Sequence, residues 1–191
     1  MRTFRKNIAQ MLLVLFVLIV LAVLPARADS ILSIQPSLST PNVGSVFDVF
    51  VNISNASDLY AFQFDISFDP TILSAMSVTE GSLFPGSGIT TETIDNTSGS
   101  ISFIADVLTG APSGVSGDGT LADLTFQAVS EGTSPIALSN MILLDFDLSD
   151  IPFSKTDGTV SPTSSVPEPT ALLLLLPVLL GLLRFGRKLT H

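Results

Sequence analysis

Strict alternation of apolar and polar residues in the middle of the chain restricts its fold more than any other feature of the sequence. In residues 60–68 every second side chain is aromatic or Ile, and the side chains between them are small or polar. Successive side chains of a β-strand point to opposite faces, so this segment is predicted to be a strand with one buried face. Asp69 and Pro70 follow, and proline ends the strand because it cannot donate a hydrogen bond to a sheet. The predicted buried face consists of Tyr60, Phe62, Phe64, Ile66 and Phe68.

Three further segments show the same alternation, and clusters of Gly, Ser, Asp and Asn separate them. Such clusters are typical of turns, and no segment of this central part shows convincing helical periodicity. Many short strands joined by turns predict an antiparallel all-β sandwich or barrel, and we expect eight or nine strands in two sheets. The additional buried faces are predicted to be Phe47, Val49, Val51 and Ile53, then Ile101, Phe103, Ala105 and Val107, and then Ala122, Leu124, Phe126 and Ala128.

The first 28 residues have the three parts of a secretory signal peptide. Three basic residues within the first six precede an unbroken apolar run, residues 11–24, and Ala26 and Ala28 supply an A-x-A cleavage site. The alternative is an uncleaved anchor, but the run is shorter than the roughly 20 residues that a stable span needs. Residues 1–28 are therefore predicted to be a signal helix that is removed after the rest of the chain is exported through the inner membrane.

A second apolar segment, residues 170–183, lies near the C-terminus and is followed by a basic cluster. Basic residues stay on the cytoplasmic side, so a transmembrane helix here would leave the preceding domain outside. A helix of this length rises only about 21 Å, whereas the hydrocarbon core of a bilayer is about 30 Å thick. Pro177 also removes one backbone hydrogen bond from its middle. These features suit a segment used for processing better than a permanent membrane anchor.

The chain reads Val-Pro-Glu-Pro shortly before this apolar segment. Pro-Glu-Pro, a Leu-rich span and a terminal basic cluster, in that order, resemble the PEP-CTERM sorting signal of Gram-negative bacteria. The resemblance implies recognition by a membrane protease of the exosortase type and a role in exopolysaccharide or biofilm matrix. A plain tail-anchored span is the alternative, and it would need neither the Pro-Glu-Pro nor the terminal position. The predicted signal spans residues 166–191, and the match rests on Val166, Pro167, Glu168, Pro169, Arg184, Arg187 and Lys188.

Charge and composition exclude several functions for the part of the chain between its two ends. Sixteen of the 17 acidic residues but only one of the eight basic residues, Lys155, lie between residues 29 and 166, which gives this part a net charge of −15. Nucleic-acid binding needs a basic face, so it is excluded. The chain has no Cys, and its single histidine is His191, at the C-terminus. Thiolate chemistry, His-ligated zinc and a Ser/His/Asp triad are therefore unavailable to this part of the chain, and we expect no enzyme.

The order of the central segments resembles that of a cohesin domain. Residues 59–73 contain a strand that ends in an aromatic-Asp-Pro turn followed by Leu73. The resemblance covers about residues 31–160 and implies a nine-stranded jelly-roll sandwich related to carbohydrate-binding modules. In cellulosomes such domains bind the dockerin modules of polysaccharide-degrading enzymes. The matching pieces are residues 59–73, 78–81, 99–103, 119–126, 133–138 and 157–160.

The predicted docking face belongs to this cohesin-like domain, residues 29–160, which a polar linker at 161–165 joins to the sorting signal. Dockerin-binding members often carry Asn or Asp on the strand before the Asp-Pro turn, where this chain has Ala61 and Gln63. This departure bears on the partner and not on the fold. The alternative to a docking face is an ordinary solvated sheet face. The residues predicted to face a dockerin-like partner are Gln63, Asp65, Ser67, Leu121, Asp123 and Thr125.

Three carboxylates close together, those of Asp145, Asp147 and Asp150, are candidate oxygen ligands for Ca²⁺. The glycine-containing spacing of an EF-hand loop is missing, and the alternative is a solvated acidic loop. No other cofactor is predicted.

Direct binding of polysaccharide is a second functional class that stays open. Pyranose rings stack on aromatic side chains, but the chain has no Trp, and its only tyrosine, Tyr60, is assigned to the core. Asp and Asn side chains are the remaining route to weak binding. The sequence thus predicts an exported binding module at the cell envelope, cell surface or extracellular matrix of a Gram-negative bacterium, held to the membrane by its C-terminal helix before processing.

Overall fold

The computed structural model describes residues 29–84, 86, 88–90 and 93–164, which form nine β-strands and no helix, so the all-β prediction is confirmed. Within these ranges no helix is long and apolar enough to cross a membrane. The predicted signal peptide (1–28), with Ala26 and Ala28, and the predicted sorting signal (166–191) lie outside the described residues. The strands are β1 (Ser30–Pro36), β2 (Val46–Ser67), β3 (Leu73–Glu80), β4 (Thr93–Asp95), β5 (Ser100–Val107), β6 (Val115–Ala128), β7 (Ser134–Asp145), β8 (Phe153–Thr156) and β9 (Gly158–Val160).

Strand β2 has 22 residues and takes part in both layers of the fold. Its first part, residues 46–54, pairs with β1 and β6, and its second part, residues 59–67, pairs with β5 and β7. Between them Asn55 and Asp58 both have φ of 57°, and left-handed residues of this kind change the direction of a strand. We call the layer ordered β8-β1-β2-β6-β3 sheet 1 and the layer ordered β4-β5-β2-β7-β9 sheet 2.

The core contains the inward side chains of both sheets. Two of the predicted faces, that of residues 47–53 and that of residues 122–128, are completely buried, which confirms them. In the face that begins at Tyr60, the members from Phe62 to Phe68 are buried, but Tyr60 itself is only half-buried. The core assignment of Tyr60 is therefore wrong. The pairing of β2 with β7 shifts by one residue at this point, and the Tyr60 ring packs edge-on against Phe146 with 5.2 Å between the ring centroids.

The segment of the chain that follows β8 belongs to the folded domain as far as residue 163. Strand β9 pairs with the start of β7, and the Ser161 and Thr163 amides then donate to the carbonyls of Ser39 and Pro41, at 2.8 and 3.0 Å. Pro162, between them, is buried. The predicted linker at 161–165 is therefore wrong for its first three residues. Their Ser, Pro and Thr composition is typical of a tether, but their backbone is bound to the loop between β1 and β2.

Candidate functional site

Asp65 lies at the centre of sheet 2, and its carboxylate accepts a hydrogen bond from an irregular segment in each of the two neighbouring strands. Its Oδ1 accepts a hydrogen bond from the Phe103 amide at 2.8 Å, and its Oδ2 accepts one from the Asn140 side-chain amide at 2.5 Å. Phe103 in β5 and Asn140 in β7 have φ of 56° and 50°. Beside Asp65 each of these strands has one residue more than β2, in 101–104 and in 139–142. These are β-bulges, and the carboxylate of Asp65 binds both of them.

Each bulge inverts the alternation of its strand. In β5 Ile101 is buried before the bulge, but after it Ile104 is buried and Phe103 is exposed. The predicted buried face of Ile101, Phe103, Ala105 and Val107 is therefore wrong beyond its first member. In β7 the buried positions change in the same way, from Leu138 before the bulge to Leu143 after it. Apolar side chains that continuous alternation would bury are thus turned to the outside.

The outward apolar side chains line a groove of about 370 Å³ on sheet 2. Three of them are large and well exposed: Phe103 at 41%, Val107 at 44% and Ile142 at 43%. Contiguous exposed apolar surface of this kind marks interaction sites in soluble proteins. We call this feature the sheet 2 groove; its lining includes Ala61, Gln63, Phe103, Ala105, Val107, Ile142 and Leu144.

Described residues of the loop after β3, Gly88 and Thr90, form one rim of the sheet 2 groove. Thr90 exchanges two backbone hydrogen bonds with Ala105, at 2.7 and 2.8 Å. The Glu80 carboxylate accepts hydrogen bonds from the amides of Gly86 and Gly88, the latter at 2.8 Å. Gly88 and Thr90 both line the groove. These residues of the rim are therefore held by backbone and carboxylate contacts within the chain.

The six residues predicted to face a partner do not form one surface. Gln63, Asp65 and Ser67 lie together on the outward face of sheet 2, as predicted for a single strand. Asp123 and Thr125 lie on β6, which belongs to sheet 1 on the other side of the sandwich.

Leu121 is completely buried, so its assignment to the docking face is wrong. The pairing of β6 with β2 shifts here, since Val51 is opposite Ala122 and Asn52 is opposite Thr120. This bulge places Leu121 and Ala122, two consecutive residues, inside the core.

Asp123 has a specific electrostatic environment on sheet 1. Burial, and then repulsion from the Asp48 carboxylate, raise the pKa of Asp123 above its ordinary value. The folded state therefore binds a proton at this carboxylate more readily than the unfolded chain does, and stability from this site is lost as the pH rises through the folded-state pKa. At neutral pH the ionised form of Asp123 works against folding.

Replacing Asp123 with Asn is expected to raise the melting temperature at pH 7 by a few degrees, because the variant has no charge to desolvate. The difference should shrink as the pH falls towards the ordinary Asp pKa of 3.8, where the wild-type carboxyl is protonated as well. Thermal unfolding across this pH range checks the prediction. Asp147→Asn removes the same charge from an exposed loop and serves as the control. An Asp123→Asn variant that is less stable than wild type at pH 7 would contradict it.

The acidic loop predicted to bind calcium forms a tight turn after β7. The Asp145 carboxylate accepts the Ser149 amide at 2.8 Å, and its carbonyl accepts the Leu148 amide at 2.9 Å. Asp147 is exposed, and Asp150 pairs through its backbone with Leu144. In the described part of the chain no three His, Cys, Asp or Glu side chains are grouped to hold a metal ion. Calcium at Asp145, Asp147 and Asp150 stays a prediction that this geometry does not support.

Residues 33–161, about two thirds of the chain, match the family model of the cohesin domain. The chain belongs to the cohesin family. Cohesin domains are non-catalytic binding modules, which agrees with the expectation of a binding function. This cohesin is 27% identical over 137 residues to cellulose-binding protein A of Clostridium cellulovorans. That match covers 69% of this chain but only 7% of the much longer relative.

Several solved cohesins share the fold. A non-cellulosomal cohesin from Archaeoglobus fulgidus has a TM-score of 0.61 at 22% identity, with 72% of this chain and 93% of that chain covered. CaCohA2 from Clostridium acetobutylicum has a TM-score of 0.62 at 24% identity, with 74% and 95% covered. The sixth cohesin of scaffoldin B from Acetivibrio cellulolyticus, solved in complex with a Cel5 dockerin mutant, has a TM-score of 0.62 at 23% identity, with 71% and 100% covered.

Proposed function

We propose that this cohesin binds a protein partner in the sheet 2 groove, and that the partner is a dockerin-like module. The observation that carries the proposal is the pair of bulges beside Asp65, which turn large apolar side chains outward on both sides of one strand. Burial of exposed apolar surface is the main favourable term in protein association. Solved cohesins of the same fold form complexes with dockerins, which supports the same class of partner here.

The chemistry of the groove indicates what the partner presents. Ala61 and Gln63 line it where dockerin-binding members often carry Asn or Asp, and the lining residue Asp106 is buried. A partner that fits there contributes apolar side chains rather than hydrogen-bond donors that pair with a carboxylate. The part of the chain between residues 29 and 166 carries a net charge of −15, so basic residues around that apolar centre would complement it and speed association.

The test is binding of a purified partner to the wild-type chain and to variants of the groove by isothermal titration. A partner is first obtained by capture from the secreted proteins of the source organism. If substitution of Ile142 abolishes specific binding and substitution of Ile31 does not, the result supports docking in the sheet 2 groove. These two isoleucines have almost equal exposure, 43% and 41%, and lie on opposite sheets.

The ends of the chain support export and sorting as part of the same proposal. The signal-peptide pattern of residues 1–28 delivers the domain across the inner membrane. The Pro167-Glu168-Pro169 motif, the Leu-rich span and the basic cluster at Arg184, Arg187 and Lys188 present it to an exosortase-type protease. The domain then acts at the cell envelope or in the surrounding matrix.

The mature protein is expected to lack its C-terminal basic tail, because sorting removes the segment after the Pro-Glu-Pro motif. Mass spectrometry of the C-terminal peptide from the native protein measures this directly. A mature chain that still ends in Arg187, Lys188 and the three following residues would contradict the sorting proposal and leave a plain membrane anchor in its place.

A further inference from the structure

A single aromatic side chain lies at the centre of the outward face of sheet 1. Phe50 in β2 is directly opposite Gln35 in β1 on one side and Asp123 in β6 on the other. Asp123 is in turn opposite Thr79 in β3. One row across four strands therefore consists of a half-buried Phe ring with hydrogen-bonding side chains on both sides.

The neighbouring rows are also polar, and their side chains are linked. On one side of Phe50, the Asn52 side chain donates to Gln35 at 3.1 Å and accepts from the Thr120 hydroxyl at 2.8 Å. On the other side, the Thr125 hydroxyl donates to Asp48 at 3.3 Å. Adjacent rows are about 7 Å apart along a strand. The Phe50 ring is thus surrounded by amides, hydroxyls and two carboxylates held in fixed positions.

A shallow groove opens over this arrangement. It has a volume of about 410 Å³ and is distinct from the sheet 2 groove, which lies on the other face of the sandwich. This volume is within the range of about 300 to 1,000 Å³ that is typical of small-ligand clefts. We call it the sheet 1 groove; its lining is Gln35, Pro36, Ser37, Phe50, Asn52 and Thr120.

Asp123 lies beside Phe50 in the same cross-strand row but does not line the groove. Its Oδ1 is buried and makes no hydrogen bond with any part of the described chain, so it is out of reach of a ligand. The polar groups that a ligand can reach are those of the lining, including the side-chain amides of Gln35 and Asn52.

We propose that the sheet 1 groove binds an uncharged polysaccharide, with one sugar ring stacked on Phe50 and its hydroxyls hydrogen-bonded to Gln35 and Asn52. The aromatic face meets the apolar face of a pyranose, and the side-chain amides match its hydroxyls. Charge selects the class of glycan. Lys155 is the only basic residue between residues 29 and 166, and its ammonium group is bound to the Leu138 carbonyl and to Asp157, so an acidic glycan meets repulsion without a compensating cation.

Affinity electrophoresis of the secreted protein tests this inference. The gels contain mixed-linkage β-glucan, galactomannan, xyloglucan or dextran as neutral polysaccharides and alginate as the acidic one. Retardation by at least one neutral polysaccharide and none by alginate is expected. Phe50→Ala should weaken that binding at least tenfold, and Gln35→Ala, at an exposed position, should weaken it severalfold. Circular dichroism spectra confirm that both variants are folded.

Phe103→Ala is the matched control, since it removes an exposed Phe ring from sheet 2 and should leave retardation unchanged. No retardation by any of the four neutral polysaccharides, equal binding to alginate, or wild-type binding by both folded sheet 1 variants would overturn the inference. Because the partner-binding test uses the other face, a failure here leaves the docking proposal standing, and the reverse also holds.

Discussion

Replacing Ile142 with Asp is expected to weaken binding of the protein partner at least 100-fold. Ile142 lies in the wall of the sheet 2 groove, and a carboxylate there would have to be desolvated against apolar partner atoms. The few hot-spot residues near the centre of an interface cost about 2 kcal/mol or more when truncated, and a 100-fold change corresponds to about 2.7 kcal/mol. Val107→Asp, in the opposite wall, should have a similar effect.

The fold should tolerate the Ile142 substitution because the side chain is 43% exposed. Melting temperatures of the variants measure this, and isothermal titration with the purified partner measures the affinity. Ile31→Asp makes the same change at a similarly exposed position of sheet 1 and should bind like wild type. If Ile31→Asp abolishes binding and Ile142→Asp does not, the partner occupies the other face.

Replacing Asp65 with Ala is expected to destabilise the domain by about 3 kcal/mol, since hydrogen bonds to a charged acceptor contribute about 1.5 to 3 kcal/mol each. The substitution removes the acceptor of the Phe103 amide and of the Asn140 side chain at once. Both of these residues have left-handed backbone conformations, which are unfavourable without such support. Chemical denaturation measures the loss, and partner affinity should fall with it because the groove walls are no longer fixed.

Asp65→Asn removes the charge but can keep both contacts. Its carbonyl can still accept the Phe103 amide, and the Asn140 amide can rotate to present its oxygen, so the loss should be less than half of that for Ala. Ser67→Ala, two residues along the same outward face, is the control and should change stability little. An Asp65→Ala variant with wild-type stability would show that the bulges form without the carboxylate.

Uninterrupted strands could be predicted from the sequence because their alternation is local information. The buried faces of residues 47–53 and 122–128 follow directly from side-chain periodicity. Pro70 predicts the end of the strand, which the structure places at Ser67. The family resemblance is carried by the order and spacing of short strand pieces and turns, two of which contain the bulge residues Phe103 and Leu121. The prediction of an all-β cohesin-like fold therefore did not depend on which face each side chain occupies.

The candidate groove could not be predicted in this way because bulges shift the alternation. Asp65 is 38 residues from Phe103 and 75 from Asn140, so the contacts that set the two bulges are not visible in either local segment. The only local indication of a bulge is Asn140, because Asn tolerates the left-handed region of backbone conformation. The residue type of Phe103 gives no such indication. Leu121 was predicted to face outward but lies in the core, because a bulge shifts the alternation of its strand as well.

Hydrogen exchange of the chain alone and in complex with its purified partner is the most direct test of docking in the sheet 2 groove. The amides of β5 and of the second half of β7 should exchange more slowly in the complex, because the partner covers the walls formed by these strands. The amides of β1 and β3, in sheet 1, should exchange at unchanged rates. Protection confined to the strands of sheet 1, with none in β5 or β7, would contradict the account.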